Sequence, residues 1–448
     1  MHDSGNNPEQ TATKLAKRAD QAMLNTRRLS VRDLRGITRL GVDGVIAMTG
    51  MIESVHGNVV DSLSPFRSRD NAGSSRQEVK TTGLTRLVYR SITGITGITG
   101  RALDRGLALM ESDPMPLQPA QRERESVLAI LNGVLGDHLH DSNNPLAIRS
   151  SVRIPSRTLN IDNAQQLRSD LSSTLPVSEK VIPDKIILYV HGLCMHDQHW
   201  LAVKTPKNQG HHAAPAEQLA ASLGYTPLYL HYNSGRHISH NGRALAERLD
   251  TLLNHWPVPV TALTIVGHSM GGLVARSACR YAELEQQDWL QHLQHLVFIG
   301  TPHHGAPLER IGHQIDRLLH ASRFSRPFAR IGQMRSAGIT DLRYGNVMDE
   351  DWLQHDRFAE SRDTRLPVSL PEAVKCYAVA GSLAHSKSGE DLPGDGLVPV
   401  ASALGQHSDA KLQLSLPTPQ QRVVPGSGHV QLLHHPCVWQ QLHEWLED

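Results

Sequence analysis

The spacing of apolar residues changes along the chain, and the changes divide it. From Ile37 to Val60, the residues Ile37, Leu40, Val45, Met48, Ile52, Val55 and Val59 recur at the three- and four-residue intervals of an amphipathic helix. A polar break follows at Asp61–Ser75. A second helical stripe then runs through Leu84, Leu87, Val88, Ile92, Ile95, Ile98, Leu103, Leu107 and Met110. It includes the repeat ITGITGITG at Ile92–Gly100. Gly and Thr are weak helix formers, but Gly94, Gly97 and Gly100 would let another helix approach closely. A third helix is expected over Pro119–Leu139, charged at its start and apolar later. Two alternating stretches, Leu146–Ile154 and Arg157–Ile161, read as an antiparallel pair, with a Ser-rich linker at Asp170–Pro183.

From Lys185 the pattern becomes short apolar runs alternating with helical stripes. Strands are expected at Ile186–Val190, Thr226–His231, Leu263–Val266, His295–Ile299 and Cys376–Ala380. Helices are expected at Ala214–Leu223, Asn241–Trp256, Gly272–Leu284 and Pro436–Trp445. Near-continuous apolar strands alternating with helices predict an α/β fold whose mostly parallel sheet is covered on both faces. Residues 305–372 interrupt the rhythm. They are Arg-rich (Arg310, Arg317, Arg323, Arg326, Arg330, Arg335), with a helical signal at Leu308–Leu319, and read as a cap or lid over the strand ends. The predicted division is a polar lead (1–30), a helical module (31–145), a β-pair and linker (146–184) and an α/β domain (185–448). The helical module reads as a hairpin packed on the main domain or as an amphipathic surface that lies on lipid.

Composition narrows the function classes. The 448 residues, 39% of them hydrophobic, suffice for a large core plus an extra module, and a net charge of +1 gives no bulk electrostatic case for nucleic acid. The four cysteines are widely spaced and lack a CxxC pair, which fits a reducing compartment. The polar N-terminus lacks a secretory apolar core, and no 18 consecutive residues are apolar. The expectation is therefore no cleaved signal and no spanning helix, a cytoplasmic location, and at most peripheral membrane contact.

The chemistry centres on Leu263–Ser277, LTIVGHSMGGLVARS. A buried-strand run, a Gly-rich turn and a helix succeed one another, with Ser269 at the tip. Gly267 and Gly271 flank it where side chains would collide with the adjoining strand and helix. The alternative is a Gly-rich turn whose serine is an ordinary helix N-cap. A serine nucleophile needs a base and a group that orients the base. Asp395, in GDGLVPV, and His429, in GSGHVQLL, follow Ser269 in the order this topology requires. Asp391 is a rival acid, and His434 and His435 are rival bases. An oxyanion formed on attack needs N–H donors; those of Met270 and of Leu193, in the turn after the first strand, are the candidates. His191, Gly192, His268, His303, His304 and Tyr232 are expected to line a substrate site. The HYNSGRH stretch (231–237) reads equally as loop bracing. Pairing His211-His212 or Asp197 and His199 as metal ligands has no convincing spacing, so no metal site is assigned.

Together VHG (Val190–Gly192), GHSMGG (Gly267–Gly272), GTPHHGA (Gly300–Ala306), GDGLVPV and the GSGHV turn resemble lipase-like α/β-hydrolases. Within them they are most similar to PGAP1-like esterases and bacterial triacylglycerol lipases. The resemblance covers about Lys185–Asp448. It implies acyl-ester hydrolysis through an acyl-enzyme, with Ser269 as nucleophile, His429 as base, Asp395 as orienting acid and no obligatory cofactor. The implied substrate is a small-molecule or lipid ester. The competing readings are an intracellular depolymerase, thioesterase or acyltransferase docked on a granule or membrane, and a non-catalytic binding protein. Oligomeric state has no signature in the sequence.

Overall fold

The structure is a computed structural model that describes residues 31–62, 83–108, 120–155, 157–173, 181–201, 213–307, 312, 335–357, 363–385 and 393–447. The polar lead, most of the break at 61–75, the Leu308–Leu319 signal with five of the six cap arginines, His211, His212 and Asp391 lie outside the described residues. The chain forms two compact units. One comprises residues 1–121 and 143–146, the other 122–142 and 147–448.

In the first unit, α1 (Val31–Ser62) packs on α2 (Gly83–Ala108). Of the three repeat glycines, Gly100 is a point of close approach: a Cβ there would come within 2.6 Å of Val42 Cγ2. A Cβ on Gly94 would meet nothing, and one on Gly97 only the Arg101 side chain at 3.8 Å, so a single position carries the packing expected of all three. Asp104 accepts hydrogen bonds from Arg35 Nε (3.1 Å) and Arg39 Nε (2.7 Å). The Arg39 bonds lead in pulling its carboxyl pKa down to about 2.

The third helix, α3 (Ala120–Asp141), corrects the predicted module boundary, because it belongs almost wholly to the second unit. Its later apolar residues explain this. Leu131, Val134, Leu135 and Leu139 are all buried, and a Cβ on Gly133 would lie 2.2 Å from Cys194 Sγ. Next come β1 (Ser151–Ile154), β2 (Arg157–Thr158) and α4 (Ala164–Ser172), whose Asn163 side chain accepts the Gln166 N–H as an N-cap. The alternation then runs β3 (Lys185–Val190), α5 (Pro215–Leu223), β4 (Tyr225–His231), α6 (Ile238–Asn254), β5 (Ala262–His268), α7 (Met270–Glu285), β6 (Leu293–Ile299), β7 (Lys375–Ser382), β8 (Gln421–Pro425) and α8 (Pro436–Glu447).

These strands form one sheet in the order β2-β1-β4-β3-β5-β6-β7-β8. Strands β3 to β8 pair in parallel, whereas β1 is antiparallel to both β2 and β4. The β1/β2 pair thus extends the main sheet and does not stand apart with a linker, because Val152 and Ile154 are buried in it. The sequence pattern does not mark strand β8: its QRVVP run is only half buried and too short to show a period.

Strands β3 to β7 are buried on both faces over most of their length, which is why they read as unbroken apolar runs. One face carries Tyr189, Tyr229, Val266 and Val297, packed with Trp200, Leu219, Trp439 and Leu442 of the covering segments. Tyr377 stacks on Trp445 at 4.8 Å between ring centroids. On the other side α6 and α7 pack so tightly that a Cβ on Gly242 would lie 2.1 Å from Ser277 Oγ. This is the α/β-hydrolase arrangement that the motif order implied, with every parallel strand delivering its C-terminal loop to one edge.

Candidate active site

Three loops at that edge bring Ser269, His429 and Asp395 together, although up to 160 residues separate them in sequence. Strand β5 ends at His268 and α7 begins at Met270, so Ser269 must turn the chain within one residue. It does so at φ 55° and ψ −126°, a conformation that costs a non-glycine residue about 1–3 kcal/mol. The surroundings enforce it. Ser269 N–H donates to Ile299 O at 2.8 Å, and Gly272 N–H donates back to Ser269 O at 3.0 Å. A Cβ on Gly267 would meet Gly272 Cα at 2.5 Å, and one on Gly271 would meet Val190 O at 2.3 Å. Both flanking glycines are therefore required by close backbone approach.

His429 follows β8, with its N–H donating to Asp395 O at 3.0 Å. Its ring lies between the other two side chains: Nε2 is 2.8 Å from Ser269 Oγ and Nδ1 is 2.7 Å from Asp395 Oδ2. The other carboxylate oxygen of Asp395 accepts the N–H groups of Leu397 (3.0 Å) and Val398 (2.8 Å). Asp395 is buried, and burial opposes its charge. The His429 ring and these two N–H donors outweigh that penalty and hold its carboxyl below the usual range. An ionised Asp395 fixes the His429 proton on Nδ1 and leaves Nε2 free to accept the Ser269 hydroxyl proton. Only 5% of Ser269 and 9% of His429 is exposed, so the group of three is nearly closed to bulk water. Neither His434 nor His435 is hydrogen-bonded to Ser269 among the described residues.

Residues 183–370 match the family model described as PGAP1-like alpha/beta domain. Among solved structures, the chain is similar to the mature Bacillus licheniformis lipase BlEst2, at 19% identity over 61% of this chain and 96% of that one, with a TM-score of 0.37. It is also similar to Staphylococcus hyicus lipase (14% identity, 61% and 97% covered, TM-score 0.32). A third similar structure is phospholipase PlaB of Legionella pneumophila (14%, 59% and 59%, 0.35). No curated protein matches the chain.

The loop after β3 approaches Ser269 directly. A Cβ on Gly192 would lie 3.0 Å from Ser269 Cβ and 3.3 Å from His268 O. Met270 and Leu193 have no acceptor for their backbone N–H groups among the described residues, in keeping with N–H groups held ready for an anion. The other expected lining residues divide. His268 has no exposed surface; its Nε2 is 3.2 Å from His429 O, so the ring braces the His429 loop. Burial, with the neighbouring His429, pushes its pKa down to about 3. His191 and Tyr232 are stacked at 4.3 Å, and Tyr232 donates its hydroxyl to His191 O at 2.7 Å. Both are buried, which makes them supports of the Gly192–Leu193 turn and not lining groups.

His303 and His304 also correct the expectation of a lining role. His303 is fully buried, edge-on to Phe298 and 3.3 Å from Arg276 Nη1. His304 packs against His407, near Arg365. The GTPHHGA loop turns at Gly300 and Gly305, both with positive φ; it buries the His303 ring and leaves that of His304 half-buried.

The 231–237 stretch braces loops, one of the two readings left open by its sequence. Ser234 Oγ accepts the Cys194 N–H at 3.1 Å, and Asn233 Nδ2 donates to Gly136 O at 2.8 Å. Asp197, fully buried, accepts from Arg153 Nη1 at 3.1 Å, with His231 Nδ1 at 3.5 Å. This ionic anchor of the same loop was missed because its members come from distant segments. The one available signal was a lone Asp just beyond the turn, which the sequence shares with many solvated loops. Among the described residues, no group of three or more His, Cys, Asp or Glu side chains is arranged to hold a metal ion. No described helix is long and apolar enough to cross a membrane.

Proposed function

We propose that the chain is a serine ester hydrolase acting on small-molecule or lipid acyl esters through an acyl-enzyme. The observation that carries this reading is the continuous Ser269–His429–Asp395 hydrogen-bond chain beside two unengaged backbone N–H groups. In this reading Ser269 Oγ attacks the ester carbonyl carbon while His429 Nε2 takes the hydroxyl proton. The carbonyl oxygen becomes an oxyanion facing the Met270 and Leu193 N–H groups, each worth roughly 10²–10³ in rate. Collapse breaks the ester C–O bond, and His429 returns its proton to the departing alcohol. Water, deprotonated by His429, then attacks the acyl carbon and releases the acid and free Ser269. Asp395 holds the imidazole in the required tautomer throughout.

The same acyl-enzyme serves a thioesterase, depolymerase or acyltransferase, which differ only in leaving group and acceptor. Ser269→Ala tests the core of the reading. It is expected to abolish turnover of a p-nitrophenyl ester and labelling by a fluorophosphonate, with an unchanged circular dichroism spectrum. Retained turnover in the purified variant refutes the assignment. Lipid-surface contact by the helical unit is a second part of the proposal. It is supported by Val45, Ile98 and Leu103, which are 47%, 62% and 51% exposed. The expected result is co-flotation of the full chain with lipid vesicles, reduced by Ile98→Glu; flotation unchanged by that substitution removes it.

A further inference from the structure

A second concavity in the same unit is unlike the hydrolytic site. A cavity of about 620 Å³ opens where the end of α3, the first turn of α6 and the segment at 335–337 meet. Three guanidinium groups line it, from Arg236, Arg335 and Arg357, together with the rings of His138, His140, His237 and His240. Two carboxylates also face it, and one of them is engaged. Asp137 Oδ2 accepts from Arg357 Nη1 at 2.6 Å and from the Ala337 N–H at 2.9 Å. The second, Asp141, acts on Arg236 at long range without forming an ion pair with it. Arg236 and Arg335 have no carboxylate within ion-pair distance among the described residues.

The position of Arg236 makes this unpaired state informative. It is half-buried in the loop between β4 and α6, where water screens its charge poorly, and burial pulls its guanidinium pKa down. Its charge is also felt by the neighbouring rings. The pKa values of His140 and His240 are both lowered, first by burial and next by Arg236. His237 is already committed, stacked on Trp352 at 3.7 Å and paired with Asp341 at 3.1 Å. An under-solvated cation without a counterion is costly, and an anion in the cavity would remove that cost. The cavity also opens at the N-terminal turn of the 17-residue α6, whose backbone dipole favours negative charge there.

We propose that this cavity is a binding site for a phosphoryl group, held by Arg236 and Arg335 with Arg357 at its side. A tetrahedral anion presents oxygens in several directions and so suits guanidinium groups arriving from three separate chain segments better than a planar carboxylate does. The site is built next to the loop that carries Leu193. Arg236 lies two residues after Ser234, whose hydroxyl holds the Cys194 N–H, and Val134, on the cavity wall, follows Gly133, which touches Cys194. The proposal stands independently of the ester-hydrolase reading, since it rests on charge and cavity alone.

The experiment is binding of inorganic phosphate and of glycerol 3-phosphate to the full chain, followed by calorimetry and by melting temperature at constant ionic strength. Saturable binding is expected, weakened at least tenfold in Arg236→Gln and in Arg335→Gln, and to a smaller extent in Arg236→Lys. Arg335 is exposed, so its variant does not depend on tolerance of a buried change. Equal binding by the Arg335→Gln and wild-type proteins, an equal melting shift from acetate, or no saturable binding of either phosphate overturns the proposal. Two vesicle arms locate the source of the group. Capture by phosphatidylcholine vesicles containing phosphatidic acid, but not by pure phosphatidylcholine, lost in Arg335→Gln, assigns a lipid headgroup. Glycerol 3-phosphate binding without vesicle capture assigns a soluble phosphate ester.

Discussion

Replacing Asp395 by Asn removes one charge and almost no volume, and the structure determines how the amide must sit. One oxygen of Asp395 accepts two backbone N–H groups, from Leu397 and Val398, and the other accepts His429 Nδ1–H. An amide has one oxygen and one NH₂. If the oxygen faces the backbone donors, the NH₂ faces Nδ1 and forces the imidazole proton onto Nε2. Ser269 then meets an N–H where it needs an acceptor. If the amide flips, its NH₂ confronts two buried N–H groups, losing two hydrogen bonds at about 0.5–1.5 kcal/mol each and leaving donors unpaired. The first arrangement is therefore favoured, and it is catalytically wrong. The same tautomer error in serine proteases lowers kcat about 10⁴-fold, and a loss of about 10⁴ corresponds to roughly 5.5 kcal/mol of transition-state stabilisation. We expect kcat for a p-nitrophenyl ester to fall by ~10³–10⁴ at pH 7 with KM changed less than about threefold. Asp395→Asn activity within tenfold of wild type would show that Asp395 does not set the tautomer, and the mechanism proposed above would have to be abandoned.

Further outcomes follow from the same geometry. Gly192→Ala places a methyl group 3.0 Å from Ser269 Cβ, so the turn must shift; activity is expected to drop ~10–100-fold with melting temperature nearly unchanged, and unaltered kcat refutes the tight approach. Asp197→Ala removes one of two buried carboxylates, Asp197 and Glu125, that face Arg153 and His231, and should destabilise the fold by about 1–3 kcal/mol in urea titrations; a loss below about 0.5 kcal/mol contradicts the anchor role. Acid should weaken the fold. His268 and His196 both have pKa values pushed down to about 3, mainly by burial, whereas in the unfolded chain they protonate near pH 6.5. Their contribution is complete above that value and is lost as pH falls from about 6.5 towards 3, at roughly 1.4 kcal/mol per pH unit for each ring. A stability profile flat from pH 6.5 to 4.5 is incompatible with neutral buried rings.

The order of motifs exposed most of the site in one dimension. Ser269 was legible because a strand, a glycine-flanked residue and a helix must occupy consecutive positions, and that constraint is local. Asp395 and His429 were legible because chain order in this topology limits where their loops fall. Strands buried on both faces announced themselves as apolar runs, while β8, half exposed and five residues long, did not. The direction in which a side chain points from a loop was beyond reach. His303 and His304 share a motif with the strand end nearest the nucleophile's, yet His303 is buried against Phe298 and the half-buried His304 packs on His407. Likewise α3 carries the same kind of stripe as α1 and α2 but packs against Cys194 and the loop after β4, a choice made by shape complementarity among distant segments. The cationic cavity is the extreme case: Arg335 and Arg357 stand 99 and 121 residues after Arg236 in the chain. Local steric and periodic rules are written along the chain, whereas burial, charge pairing and orientation depend on what folding brings alongside, and those were settled only in three dimensions.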